Sequence, residues 1–304
     1  MSGEFYPSEN RSEELMQIEA FAKINWSLDI TGVREDGYHL MDMLMQPVSL
    51  ADEITLLPAR DLRLSTSGYP RIRPDQNNLV MKAALALQSA SGCTEGASVH
   101  LHKRIPVGAG LGGGSADAAA VLMGLNRLWS LGLSSSELET VGLSVGADVP
   151  FCLRGGLTRT GGIGEKLEDH ECKSSYWLVI VQPCRGLSTK EVFQKWHASE
   201  TLVHPDTDAA LTALETGDLA LLCGSISNIL QSVSVELQPE IGEAIQSLKQ
   251  LGACTALMTG SGSAVFGVFR TGKDARSAAD TVRTRWRNAF LCHTQHDSLR
   301  VSDE

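Results

Sequence analysis

Lys103–Leu122 reads KRIPVGAGLGGGSADAAAVL: a strand end, a glycine loop and a helix start. Glycines at 108, 110, 112, 113 and 114 leave the backbone with little side-chain shielding. Such a chain bends through positive φ and can aim several N–H groups at one ligand. Ser115 opens the Ala-rich run Ala116–Leu122, which has strong helix propensity. A helix N-terminus behind a glycine loop favours anions, through its free N–H groups and its dipole. The stretch is read as a phosphate cradle, and the rest of the chain as what aims something at that phosphate.

Two common cradles do not fit. Gly108–Gly113 contains GxGxxG by letter, but the dinucleotide version needs an acidic residue at the end of the next strand, about 20 positions on. Here Leu122–Val145 reads as helix, turn and helix. GxxxxGK[ST] fails because no Lys follows the glycines.

Working outward, the 304 residues suffice for two domains with sizeable cores. Hydrophobic residues make up 42% and charged residues 20%, as in globular chains. The net charge of −10, from 26 basic and 36 acidic residues, argues against a nucleic-acid partner. It does not oppose a nucleotide, for which a few local N–H groups and cations suffice. No apolar run approaches a membrane span. Met1–Gln17 lacks a signal-peptide apolar region and reads as a frayed polar extension. Seven scattered cysteines with no CxxC pair imply reduced thiols and a cytoplasmic location. The histidines show no HExxH or similar spacing, so a protein-held zinc is not expected.

Upstream of the loop, Gln17–Thr31 alternates as a strand. Lys23 and Asn25 share one face with Phe21 and Ser27, while Ala22, Ile24 and Trp26 take the other. Gly32–His39 is a turn that ends in Tyr38-His39, a pair able to stack on a planar base or sugar. Met41–Val48 and Glu53–Pro58 read as strands about a turn at Ala51-Asp52, and Asp61–Leu64 as a short strand. Asn78–Ala90 is an amphipathic helix with Asn77 or Asn78 as cap. Val99–Arg104 is a strand with His100 and His102 on one solvent-facing side.

Downstream, Ser134–Val145 has a capping pattern and apolar periodicity. It runs into Gly146-Ala-Asp148-Val-Pro150-Phe151, where Asp148 is a turn residue or a placed acid/base. Gly155–Gly164 reads as a turn and Glu168–Ser175 as a linker. Tyr176–Gln182 is an apolar strand, and Ser188–Trp196, containing Phe193, is a short helix. Asp206–Thr216, Asp218–Leu230, Leu237–Leu251 and Asp274–Trp286 read as helices. In Cys254–Phe269 two strand-like runs flank Thr259-Gly-Ser-Gly-Ser263, either a plain hairpin loop or a second glycine turn that touches a substrate phosphate.

Three stretches in this order resemble the GHMP kinases. Pro106-Val-Gly-Ala-Gly110-Leu-Gly-Gly-Gly-Ser115-Ala is similar to that family's phosphate motif, with glycines where many members carry serines. Ala22–Asn25 matches the first motif and Thr259–Ser263 the third. The Asp-Gly-Tyr-His turn and Gly146–Phe151 narrow the match to members that phosphorylate the 2-hydroxyl of a cytidyl-diphosphate-linked methylerythritol in non-mevalonate isoprenoid synthesis.

The resemblance implies an α+β chain of two domains, 18–167 and 176–304. The first is of the ribosomal-protein-S5 type and binds ATP. The second is ferredoxin-like, and the active site lies in the cleft between them. It implies Asp148 as general base, with Lys23 beside it lowering the cost of negative charge on the attacking oxygen. Pro106, Gly108, Gly110, Leu111, Gly112, Gly113, Gly114 and Ser115 would hold the ATP phosphates, with Asn78 and Lys103 near the adenine. Asn25, Tyr38, His39, Phe193, Gly260 and Ser261 fall on the side of the cytidyl-diphosphate substrate. ATP and Mg²⁺ are the implied cofactors. The glutamate with which mevalonate-type relatives hold Mg²⁺ has no identifiable counterpart, leaving phosphates and water as the metal's main ligands. Oligomeric state is not implied. Rival readings are a homoserine- or mevalonate-type kinase, a nicotinamide oxidoreductase, and a nucleotide-binding module without turnover.

Overall fold

The structure, a computed structural model, describes residues 15–69, 71–197 and 204–303. The expected N-terminal extension therefore lies mostly outside the described residues.

The alternating stretch before the glycine loop forms β1 (Met16–Val33), which pairs antiparallel with β2 (His39–Ala59). The register slips between Phe21 and Lys23 and again between Asn25 and Ser27. Each slip shifts the side-chain period, because alternation is strictly twofold. Ile18 and Ala20 pack into one apolar cluster, Ala22, Ile24 and Trp26 into a second, and Leu28 and Ile30 into the first again. These bulges turn Lys23 and Asn25 toward the cleft described below.

Next come β3 (Arg63–Gly68), α1 (Leu79–Ser91) and β4 (Gly96–Lys103), with β3 and β4 parallel across the helix. Of the two candidate caps, Asn78 rather than Asn77 caps α1, accepting the Val80 N–H at 3.0 Å. The glycine loop then leads into α2 (Gly113–Leu128). This helix is buried on nearly all sides, and a Cβ on Gly124 would come within 2.3 Å of Leu56, so only a small residue lets it lie on the sheet. α3 (Ser135–Val145) bears out the capping pattern, with Ser134 rather than Ser135 as the cap and Glu137 rather than Glu139 completing the box. α4 (Val149–Arg154), β5 (Leu157–Gly162) and β6 (Lys166–His170) complete the first unit.

Four sequence expectations for this unit change. Ala51-Asp52 is not a turn, because β2 runs straight through it and the Asp52 carboxylate finds its partners in distant residues. Gly155–Gly164 contains strand β5, which pairs with β2 and β6. The expected linker begins inside β6. His100 and His102 are half-buried and bonded through Ser65 and Ser67 rather than simply solvated.

The second unit holds β7 (Trp177–Val181), α5 (Thr189–His197), α6 (Thr207–Thr216), α7 (Leu219–Ser225), α8 (Gln231–Leu237), α9 (Glu240–Gln250), β8 (Thr255–Met258), β9 (Val265–Phe269), α10 (Gly272–Arg283) and β10 (Ala289–His293). Its strands are antiparallel in the order β10-β7-β9-β8, the ferredoxin-like arrangement with α9 and α10 as the crossing helices. The helix expected from Asp218 to Leu230 stops at Ser225, because the chain turns to bond Leu28 of β1. That expected from Leu237 starts only at Glu240, after Pro239. The last strand, β11 (Leu299–Asp303), leaves this sheet and pairs with β1. The two units share a core: Trp26 of β1 meets Tyr176 and Phe266 edge-on at 5.4 and 5.5 Å.

Candidate active site

Three chain segments far apart in sequence meet at the junction of the units. β1 supplies Lys23 and Asn25, the loop before α2 supplies the glycines, and the β8–β9 turn supplies Thr259–Ser263. Ala109 and Leu111 are buried in the shared core and pin the loop from below, so its glycines are held in place. Leu111 takes part through its carbonyl, which accepts the Lys23 N–H at 2.9 Å, while its side chain is core.

Gly110 and Gly112 have φ of +77° and +68°, where a side chain is strained. Each also stands against a neighbour. A Cβ on Gly110 would lie 2.2 Å from the Thr259 carbonyl oxygen, and one on Gly112 would lie 2.9 Å from Lys23 Cγ. The two glycine turns therefore interlock, and the alkyl chain of Lys23 runs beneath the first of them. Thr259 Oγ1 accepts the Asn25 N–H at 3.0 Å, and the Ala264 N–H donates to the Ala109 carbonyl at 3.0 Å. Asn228, on the segment after α7, donates to the carbonyls of Met258 and Gly260 at 2.9 and 2.8 Å and so holds the second turn. Nothing local in the sequence marks Asn228. The importance of the Thr259 hydroxyl likewise emerges only from the packing.

Gly112 is the N-cap of α2 and supplies no side-chain cap. The N–H groups of Gly113, Gly114 and Ser115 thus point out of the first helical turn with no partner inside the helix. They border a cavity of about 650 Å³ that also touches Pro106, Gly108 and Asn78. Asn78 is committed to its cap and to the Arg73 carbonyl. Lys103 stands on the wall of this cavity, yet its ammonium is buried between Asp52 and Asp117, the latter at 2.8 Å. Burial alone would lower the Lys103 pKa, but Asp117 and Asp52 outweigh it and hold it above the ordinary value. Burial pushes the Asp117 carboxyl well above the usual carboxylate range, against the pull of Lys103 and with a further push from Asp52.

A second cavity, of about 430 Å³, adjoins the first across the loop. Lys23 and Asp148 lie where the two approach. Lys23 Nζ is 3.7 Å from Asp148 Oδ2 and donates to Asn25 Oδ1 at 2.7 Å. The lysine side chain is 6% exposed and the aspartate 33% exposed, so the carboxylate faces the cavity and the ammonium backs it. Asn25 has no exposed surface; it orients Lys23 and bonds Met43 Sδ rather than reaching into open space. The same cavity is lined by Tyr38, 59% exposed, and by His39, whose ring lies 4.2 Å from Phe193 and 5.7 Å from Trp196. Gly260 and Ser261 line the side nearest the second unit, and Ser261 Oγ is 3.0 Å from Thr189 Oγ1. All the expected residues thus line one or other cavity, but the polar ends of Asn25 and Lys103 are taken by neighbours and the side chain of Leu111 is core.

The arrangement can hold a polyanion at the helix start and present a carboxylate, with an ammonium at its back, to a hydroxyl in the adjoining cavity. Comparisons with known proteins agree in kind. The family model for the GHMP kinases N terminal domain matches residues 78–156, and that for the GHMP kinases C terminal domain matches 210–288. A 4-diphosphocytidyl-2-C-methyl-D-erythritol kinase of Alkaliphilus metalliredigens is 39% identical over 95% of this chain and 99% of its own length. One of Clostridium tetani is 38% identical over 92% of this chain and all of its own. The crystal structure of a 4-(cytidine 5'-diphospho)-2C-methyl-D-erythritol kinase superposes with a TM-score of 0.78 at 33% identity, covering 91% of this chain and 98% of that one. Homoserine kinase from Cytophaga hutchinsonii superposes at 0.76 with 17% identity, over 99% of this chain and all of that one, a likeness of fold.

Proposed function

This chain belongs to the GHMP kinase family, among the 4-diphosphocytidyl-2-C-methyl-D-erythritol kinases, and from that premise we propose that it transfers the γ-phosphoryl group of ATP to the 2-hydroxyl of 4-diphosphocytidyl-2-C-methyl-D-erythritol. The products are ADP and the 2-phosphate, a step in non-mevalonate isoprenoid precursor synthesis. One observation supports the chemistry most directly: the Lys23–Asp148 pair, 3.7 Å apart, stands between an uncapped helix start and a cavity with aromatic residues in its lining.

Phosphoryl transfer depends on positioning and charge stabilisation more than on covalent help. In this reading ATP lies along the glycine loop, its phosphates on the N–H groups of Gly113, Gly114 and Ser115. Asp148 takes the proton of the attacking hydroxyl as the new P–O bond forms and the bond to ADP breaks. Lys23, steadied by Asn25, offsets negative charge on the attacking oxygen. Tyr38, His39 and Phe193 receive the cytosine by stacking, and the Gly260-Ser261 turn faces the diphosphate. Asn78 and the wall beside Lys103 flank the nucleoside end of ATP.

Mg²⁺ belongs to the proposal. The residues fit a hard cation only modestly: the Ser115 hydroxyl, 3.8 Å from where a Cβ on Gly146 would stand, offers one oxygen on the Asp148 side of the loop. Among the described residues no group of three or more His, Cys, Asp or Glu gathers to hold a metal, and in this reading the ATP phosphates and water would supply most of its ligands. When bound it would neutralise charge on the phosphates. A cytoplasmic setting is proposed on the seven free cysteines.

A coupled ADP-release assay against 4-diphosphocytidyl-methylerythritol, homoserine and mevalonate tests the reading. Turnover with the first alone is expected. Turnover with homoserine or mevalonate alone overturns the substrate, and none with any of the three overturns the class.

A further inference from the structure

We propose that Asp52, Lys103 and Asp117 form a positioning device for the ATP-binding amides, tying the start of α2 to the end of β4 so that the glycine loop between them keeps its aim. The proposal rests on the reading of the site given above. Asp52, in the middle of β2, accepts the main-chain N–H groups of Arg104 and Ile105 on Oδ1, at 2.6 and 2.9 Å, and the Lys103 ammonium on Oδ2. Lys103 ends β4, and its ammonium also reaches Asp117 Oδ2, two residues past Ser115 in the opening turns of α2. One ammonium thus joins both ends of the loop.

The device lies directly beneath the amides it would aim. A Cβ on Gly113 would stand 3.4 Å from Lys103 Nζ, and Lys103 and Asp117 both border the nucleotide-side cavity. Asp117 Oδ1 is buried with no hydrogen-bond partner.

A role confined to stability is a poor explanation for this cluster. Burying three ionisable groups is not an efficient route to a stable core, since well-packed apolar replacements are often neutral or better. A role in geometry explains why charges stand here: two anchors fix the loop's ends while its glycines keep open N–H groups. Small displacements matter in such sites, where a misplacement of about 1 Å can cost roughly a hundredfold in rate.

Asp117→Leu removes the tie to α2 and leaves Lys103 paired with Asp52. Asp117→Asn keeps an acceptor for Lys103. Calorimetric titration with a non-hydrolysable ATP analogue, KM for each substrate and a thermal melt are read on both. D117L is expected to bind the analogue about tenfold or more weakly, with KM for ATP raised to match, KM for the cytidyl alcohol within about twofold, and a cooperative melt. D117N is expected to recover most of the loss. The proposal is overturned if D117L binds the analogue as the parent does, if both substrates weaken alike, if D117N is as impaired as D117L, or if D117L does not fold, which would make the triad a demand of the fold. A parent protein with no affinity for the analogue contradicts the functional reading instead.

Discussion

Lys23 shows how one side chain combines two jobs. Its alkyl chain packs under Gly112, and its ammonium is divided between Asn25 at 2.7 Å and Asp148 at 3.7 Å. Lys23→Met preserves the packing and removes the charge. The expected result is a fall in kcat of about a hundredfold or more, with ATP affinity little changed, measured by steady-state kinetics and titration. A second prediction concerns protons. Burial pushes Tyr176 up to about 12, Cys292 to about 12 and Cys223 to about 11, from 10, 9 and 9. The unfolded chain releases these protons at lower pH than the folded one. Their stabilising contribution is therefore full below pH 9 and lost as pH rises from about 9 to 12. Melting temperatures across that range should fall, and Tyr176→Phe should flatten the decline above pH 10. In the sequence Lys23 was a lysine on a strand and Asp148 an aspartate in a turn; each became informative only beside the other. Asp117 was less legible, since a lone acid in an Ala-rich helix has no partner until β2 and β4 are folded against it.

Among the elements, the glycine loop was readable because its signals are local: a strand, closely spaced glycines, then strong helix formers. Caps at the starts of α1 and α3 were readable for the same reason, although the choice of Asn78 over Asn77 and of Ser134 over Ser135 came only with the folded chain. The continuity of β2 through Asp52 was not, because the carboxylate that suggests a turn is satisfied by amides of Arg104 and Ile105, about fifty residues on. The end of α7 was hidden too, since contact with Leu28 decides where the helix stops. The interlocking of the two glycine turns gives a prediction at this scale. Gly110→Ala places a methyl 2.2 Å from a main-chain oxygen that has little room to retreat, at a φ of +77°. It should cost about 1–3 kcal/mol of stability by denaturant unfolding and weaken both substrates together, because the turns it forces apart line both cavities.

Across the whole molecule, two units with a common core hold one cleft, and the chain returns at β11 to brace β1, the strand that carries Lys23. The ferredoxin-like order of the second unit was implied by resemblance; strand and helix order alone was compatible with it without naming it. What the cleft adds is an asymmetry, amides on one side and aromatic rings on the other, with an acid between. The most direct test replaces that acid. ADP release by Asp148→Asn should fall by about 10²–10⁴-fold with ATP affinity and melting temperature retained, while the parent releases ADP only when the cytidyl alcohol is present. An Asp148→Asn variant that turns over like the parent, or a parent that splits ATP equally well without the alcohol, would contradict the account.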